Sequence, residues 1–195
     1  MIVVDIETTG TNPQKHSIVS IGAIDLEAPS ERFYIECHFW DGAHIDPSAL
    51  IVNDADEASV RDKNKPEEGE AVRRFFEWLD ERGNVLLAGQ NPLFDIGFLQ
   101  AAAARHHIDF QLAHRSIDLH TVAFFHMIKN RIEPPFRNKK SDINSDYIMA
   151  YAGIPTEPKP HNALNGAIWE AEAFSRLLYD KNLLEQFYEF LIPWR

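Results

Sequence analysis

Cysteine is nearly absent from this chain: Cys37 is the single one in 195 residues. An intrachain disulfide is thereby excluded, and a reducing compartment is the expected setting. No apolar run is long enough for a membrane helix, and no basic segment precedes the first apolar stretch. A cytoplasmic protein without a signal peptide is therefore expected. Repeats and low-complexity tracts are missing as well. Basic residues are scarce, with 19 Lys and Arg against 30 Asp and Glu and a formal net charge of −11. That balance argues against non-specific binding of long duplexes, which draws on a basic surface. It leaves room for short or single-stranded nucleic acid, because a metal site concentrates carboxylates and its cations reverse the local sign. The densest basic group is Arg131, Arg137, Lys139 and Lys140. Judged alone, it reads as a solvated loop.

What remains is the composition of one compact domain spanning 1–195, with 45% hydrophobic residues to build a core. An apolar first strand is followed by two β-rich runs, Ser17 to Leu26 and Arg32 to Trp40, which predict an antiparallel meander. A short helix is expected over Pro47 to Asp54. A stronger one opens after Pro66, with Val72, Phe75, Phe76 and Leu79 at helical spacing and Gly83 as its stop. Val85 to Ala88 reads as a short buried strand, and Asn91-Pro92 starts a helix reaching about Arg105. Ser116 to Leu119 suggests another strand before a helix carrying Val122, Phe125 and Met127, and Glu133 to Ser141 reads as an exposed loop. Helices follow over roughly 142–152, 162–180 and 182–191. The order predicts an α/β fold with a mixed sheet: three early antiparallel strands, then shorter strands, flanked by helices.

The chemistry begins in the first strand. Val3-Val4-Asp5-Ile6-Glu7-Thr8-Thr9-Gly10 ends an apolar run with two carboxylates on alternate positions, hence on one face. Two adjacent anions repel unless a cation lies between them. On its own, the pair also suits an edge strand with two solvated acids. A second string, Gly89-Gln90-Asn91-Pro92-Leu93-Phe94-Asp95-Ile96-Gly97-Phe98-Leu99, puts Asp95 in the first turn of a helix, where the dipole favours an anion. A third, His161-Asn162-Ala163-Leu164-Asn165-Gly166-Ala167, opens the long penultimate helix.

Asp-x-Glu-Thr-Thr-Gly, the Asn/Phe-Asp/Phe-Leu string and His-x-Ala-Leu, in this order from residue 2 to about 180, resemble the three motifs of the DEDDh 3′–5′ exonucleases. This ribonuclease H-like superfamily includes DNA polymerase proofreading subunits, RNase T and oligoribonuclease. The resemblance implies two divalent cations, Mg²⁺ or Mn²⁺, held by oxygen ligands and driving in-line hydrolysis of a terminal phosphodiester. It implies Asp5, Glu7 and Asp95 as metal ligands and His161 as general base, a task suited to a pKa near neutrality. Thr8, Thr9 and Gly10, with Asn91 and Phe94, would line the terminal nucleotide's pocket. Sequence leaves DNA against RNA open, and equally whether a polymerase or a second copy of the chain is a partner.

One position departs from the pattern. The family carries an acid five residues after the histidine, where this chain has Gly166. Glycine also weakens a helix by about 1 kcal/mol relative to alanine. Glu170 lies one turn on, but its carboxylate starts about 6 Å further along the axis, which speaks against direct replacement; Asn165 is adjacent but rotated away, and a water could fill the place. Two readings follow: an exonuclease impaired at one metal, or a catalytically degenerate exonuclease-fold module that binds nucleic acid or a protein partner. Three intact ligands and an intact histidine favour the first.

Overall fold

The computed structural model describes residues 1–52, 56–83 and 86–195. Its centre is a five-stranded sheet in the order β3-β2-β1-β4-β5. Strands β1 (Ile2–Thr8), β2 (Ile18–Asp25) and β3 (Arg32–Glu36) form the antiparallel meander the sequence predicts. After helices α1 (Pro47–Val52), α2 (Glu57–Val60) and α3 (Glu68–Asp80), β4 (Leu87–Gly89) returns parallel to β1. Helix α4 (Pro92–Arg105) then leads to β5 (Ser116–Asp118), parallel to β4, and to α5 (Leu119–Lys129). The expected helix end at Asp54 and strand start at Val85 lie outside the described residues.

Period-two burial in β1 assigns the two layers. Ile2, Val4 and Ile6 pack with Val72, Phe75, Phe76 and Leu79 of α3 and with Ile96, Phe98 and Leu99 of α4. Val3 points the other way, into a second core built from α5, α6 (Ser145–Ala152) and α7 (Ala163–Tyr179). Full burial of a side chain such as Phe75 or Leu79 contributes about 1.5–3 kcal/mol. Asp5 and Glu7 continue the face of Val3, and so the strand delivers them beneath α7. The approach is close: a Cβ on Gly22 of β2 would overlap the backbone of Ala163 and Leu164, so the first turn of α7 rests on the sheet itself.

Two expectations are corrected here. The segment from Glu133 to Ser141 is not wholly loop, because β6 (Phe136–Arg137) and β7 (Lys140–Ser141) form a hairpin. Asn138 and Lys139 both have positive φ, as a two-residue primed turn requires, and Lys139 gives no sequence signal for it. The expected helix over 182–191 is a single 3₁₀ turn, Glu185–Phe187. The fully buried Arg176 takes the carbonyls of Phe187 and Phe190, at 3.0 Å each, so a longer helix would lose those acceptors. Among the described residues no helix is long and apolar enough to cross a membrane.

Candidate active site

Three elements end at one cleft. The β1–β2 ladder slips between Glu7 and Thr8, and a bulge of this kind re-aims side chains at the end of a strand. Asp95, 4% exposed, sits in the first turn of α4. That turn is set by Asn91, which caps α4 in a left-handed conformation and donates its N–H to Asp118 Oδ1 at 3.1 Å. Phe94 and Phe98 pack ring against ring at 4.9 Å beneath it. Asn91 itself is exposed and Phe94 is half-buried.

His161 lies at the rim, bordering Glu7 on one side and Asp5, Gly166 and Glu170 on the other. Its orientation is fixed by a residue the sequence reading missed. Glu157 Oε2 is 2.8 Å from His161 Nδ1, and its Oε1 accepts from Asn162 N at 3.3 Å. A carboxylate facing Nδ1 makes that nitrogen the donor and leaves Nε2 as the proton acceptor. Asn162 then caps α7 through its side chain, which accepts from Asn165 N at 2.9 Å. The one signal for Glu157 was an acid four residues before the histidine, in a proline-rich segment that gives no period to read.

Position 166 is crowded. A Cβ built on Gly166 would run into Asp5 Oδ2, so the Asp5 carboxylate occupies the space where a side chain at 166 would begin. Glu170 also faces this cleft. It is 6% exposed, lines the same cleft, and accepts Gln90 N at Oε2 at 3.0 Å.

The electrostatics are those of buried acids without a cation. Burial, then the charges of Glu170, Glu7, Asp95 and Glu157, push the Asp5 carboxyl well above its usual range. Burial does the same for Asp95 and Glu170, and Asp95 is the strongest charged neighbour of Glu170. Burial and then Glu157 raise Glu7 to about 7, against a smaller lowering by His161. Hard oxygen donors that repel one another fit a hard divalent cation. As placed, no three His, Cys, Asp or Glu side chains among the described residues close on one point in ligating geometry. The fit is therefore one of donor chemistry.

This arrangement fixes a pH dependence. These carboxyls hold their protons more tightly when folded than unfolded. From the unfolded value of 4.5 for Glu7 up through about 7, the folded state binds more protons, and stability falls as pH rises. In a chelator, the melting temperature should drop by on the order of 5 °C between pH 5 and pH 8. Mn²⁺ should raise it more at pH 8 than at pH 5, since protons and cation compete for the same oxygens. Calorimetry at both pH values checks this; a flat profile in chelator would contradict it.

The remaining expected residues play other parts. Thr8 and Thr9 are buried, with Oγ1 donating to Gly10 O and His44 O at 2.7 Å each, so their hydroxyls shape the turn after β1. Arg137, Lys139 and Lys140 sit on the β6–β7 hairpin, whose Ser141 meets His120 at 2.8 Å, whereas Arg131 lies in the turn after α5. Arg137 pairs with Asp142 at 2.8 Å, while Lys139 and Lys140 are exposed. Asn144, Ser145 and Asp146, a few residues on, line the cleft with Asp5.

Comparison with known proteins places these motifs in context. The exonuclease family model of the RNase T type matches residues 2–174. Ribonuclease T of Yersinia enterocolitica is 28% identical over 117 residues, 53% of this chain and 54% of that protein. Ribonuclease T of Yersinia pestis is 24% identical over 191 residues, 91% of this chain and 83% of that one. In structure, cell-death related nuclease 4 superposes with a TM-score of 0.72 at 14% identity, over 93% of this chain and 64% of that one. E. coli Exonuclease I, solved with a dT13 oligonucleotide, gives 0.70 at 18% identity, over 90% and 40%. The chain thus spans about half the length of the first of these curated relatives.

Proposed function

Because the chain belongs to the RNase T exonuclease family, we propose that it is a metal-dependent 3′–5′ exonuclease, one domain over residues 1–195. It releases nucleoside monophosphates from single-stranded DNA or RNA ends in the cytoplasm. The observation that carries this reading is a cleft lined by Asp5, Glu157, Glu170 and His161, with the buried Asp95 near enough to raise the Asp5 and Glu170 carboxyls. Asp5, Glu7 and Asp95 would hold Mg²⁺ or Mn²⁺. Such ions, when bound, acidify water and stabilise a leaving 3′-oxygen. His161 takes the proton of the attacking water at Nε2, and Glu157 stabilises the imidazolium that results. The water oxygen bonds to phosphorus as the bond to the 3′-oxygen breaks, and the 3′-oxygen leaves with the bonding pair and takes a proton from solvent. The backbone of Thr8 to Gly10, with Asn91 and Phe94, lines the terminal nucleotide, and the exposed Lys139 and Lys140 attract the strand. With glycine at 166, activity is reduced in Mg²⁺, which demands strict octahedral coordination.

Digestion of 3′-labelled and 5′-labelled DNA and RNA oligonucleotides, in Mg²⁺ and in Mn²⁺, tests this. A ladder from the 5′-labelled strand, immediate loss of the 3′ label and no product from Asp5→Ala are expected. Absence of hydrolysis with every substrate and metal would favour the degenerate binding module, which the glycine at 166 and the net acidity support.

A further inference from the structure

The family's fourth acid is missing at 166, yet the structure does not leave the cleft short of carboxylates. We propose that Glu170 of α7 serves as the replacement ligand, holding with Asp5 the divalent cation that an acid at position 166 would otherwise have shared. This rests on the metal-dependent reading above and says which residue completes the site.

Three observations carry it. The space next to Gly166 is taken by Asp5 Oδ2, so glycine at 166 permits the present placement of Asp5 rather than leaving a hole. Glu170, nine-tenths buried, borders the cleft with Asp5, Gln90, Glu157 and His161. One of its oxygens is tied to Gln90 N at 3.0 Å, while the other makes no hydrogen bond within the described residues. A carboxylate held by one oxygen, with the second free in a cleft of acids, is arranged to take a hard cation. A purely structural acid here would be costly, since burial without a countercharge is unfavourable. Asn165, next to Gly166, is spent on the start of α7, where its N–H meets the side chain of Asn162.

Glu170→Gln isolates the role, because the amide oxygen still accepts from Gln90 N while the anionic ligand is gone. Mn²⁺ binding by electron paramagnetic resonance should weaken by at least about 10-fold relative to the wild-type chain. In chelator the variant should melt no lower than wild type, since a neutral amide replaces an acid whose charged form burial and Asp95 disfavour, and this verifies that it is folded. Glu170→Asp keeps the charge but withdraws it by one methylene, and should bind with intermediate affinity. Wild-type Mn²⁺ affinity in a folded Glu170→Gln would overturn the assignment while leaving the exonuclease reading intact. A wild-type chain that neither binds Mn²⁺ nor hydrolyses oligonucleotides would overturn both.

Discussion

Replacing His161 by alanine should slow oligonucleotide hydrolysis by roughly 10²- to 10⁴-fold, the usual range for losing a general base, with Mn²⁺ affinity unchanged. The imidazole stands at the cleft rim with Nδ1 committed to Glu157 at 2.8 Å. Its removal would take away the proposed proton acceptor and leave Asp5, Asp95 and Glu170 in place. Glu157→Gln separates positioning from proton transfer. An amide can present its oxygen or its NH₂ to Nδ1, so the tautomer is no longer enforced, and a smaller fall in kcat with little change in KM is expected. Single-turnover rates measured together with Mn²⁺ titrations decide the matter. If His161→Ala lost metal binding along with rate, the histidine would be part of the metal site and not the base.

A comparably large effect, on stability, is expected at Arg176. This side chain is completely buried, paired at 2.8 Å with the equally buried Glu172, and donates to the carbonyls of Ala152 (3.0 Å), Phe187 and Phe190. Glu172 in turn accepts the backbone N–H groups of Leu183 and Leu184 at 2.9 and 3.0 Å. The pair thus ties the segment after α7 to α6 and α7. Arg176→Leu leaves a buried carboxylate without its cation and strips several carbonyls of their donor, a change that costs about 3–5 kcal/mol. Urea denaturation should show the midpoint displaced accordingly, with the m-value preserved if unfolding stays two-state. A shift corresponding to under 1 kcal/mol would mean that water readily replaces the guanidinium.

Legibility from sequence followed the range of each signal. The meander, the amphipathic α3 and the start of α4 rest on patterns within a few neighbouring residues, and they appear where periodicity puts them. Asp5, Glu7, Asp95 and His161 could be named because each sits inside a local string with a strand end or helix start to place it. Glu157 could not, since its value depends on a loop folding back so that it meets a side chain four residues on. The tie of Glu170 to Gln90 was not legible either, because it joins α7 to the start of α4 across 80 residues of chain. Arg176 on a largely apolar helix reads as a surface residue until the tail is seen to wrap over it. The segment over 182–191 looked helical in isolation, and it is tertiary demand for its carbonyls that holds it to a single 3₁₀ turn.

The meeting of Asp5 and Gly166 also limits how this protein can change. An aspartate at 166 would require the Asp5 carboxylate to move, because its first side-chain atom falls where that carboxylate now lies. Asp5 would have to swing aside, and in doing so would leave the partners with which it faces the cleft. The glycine at 166 and the placement of Asp5 are therefore coupled: any larger residue at that point of α7 displaces the acid on the strand beneath it.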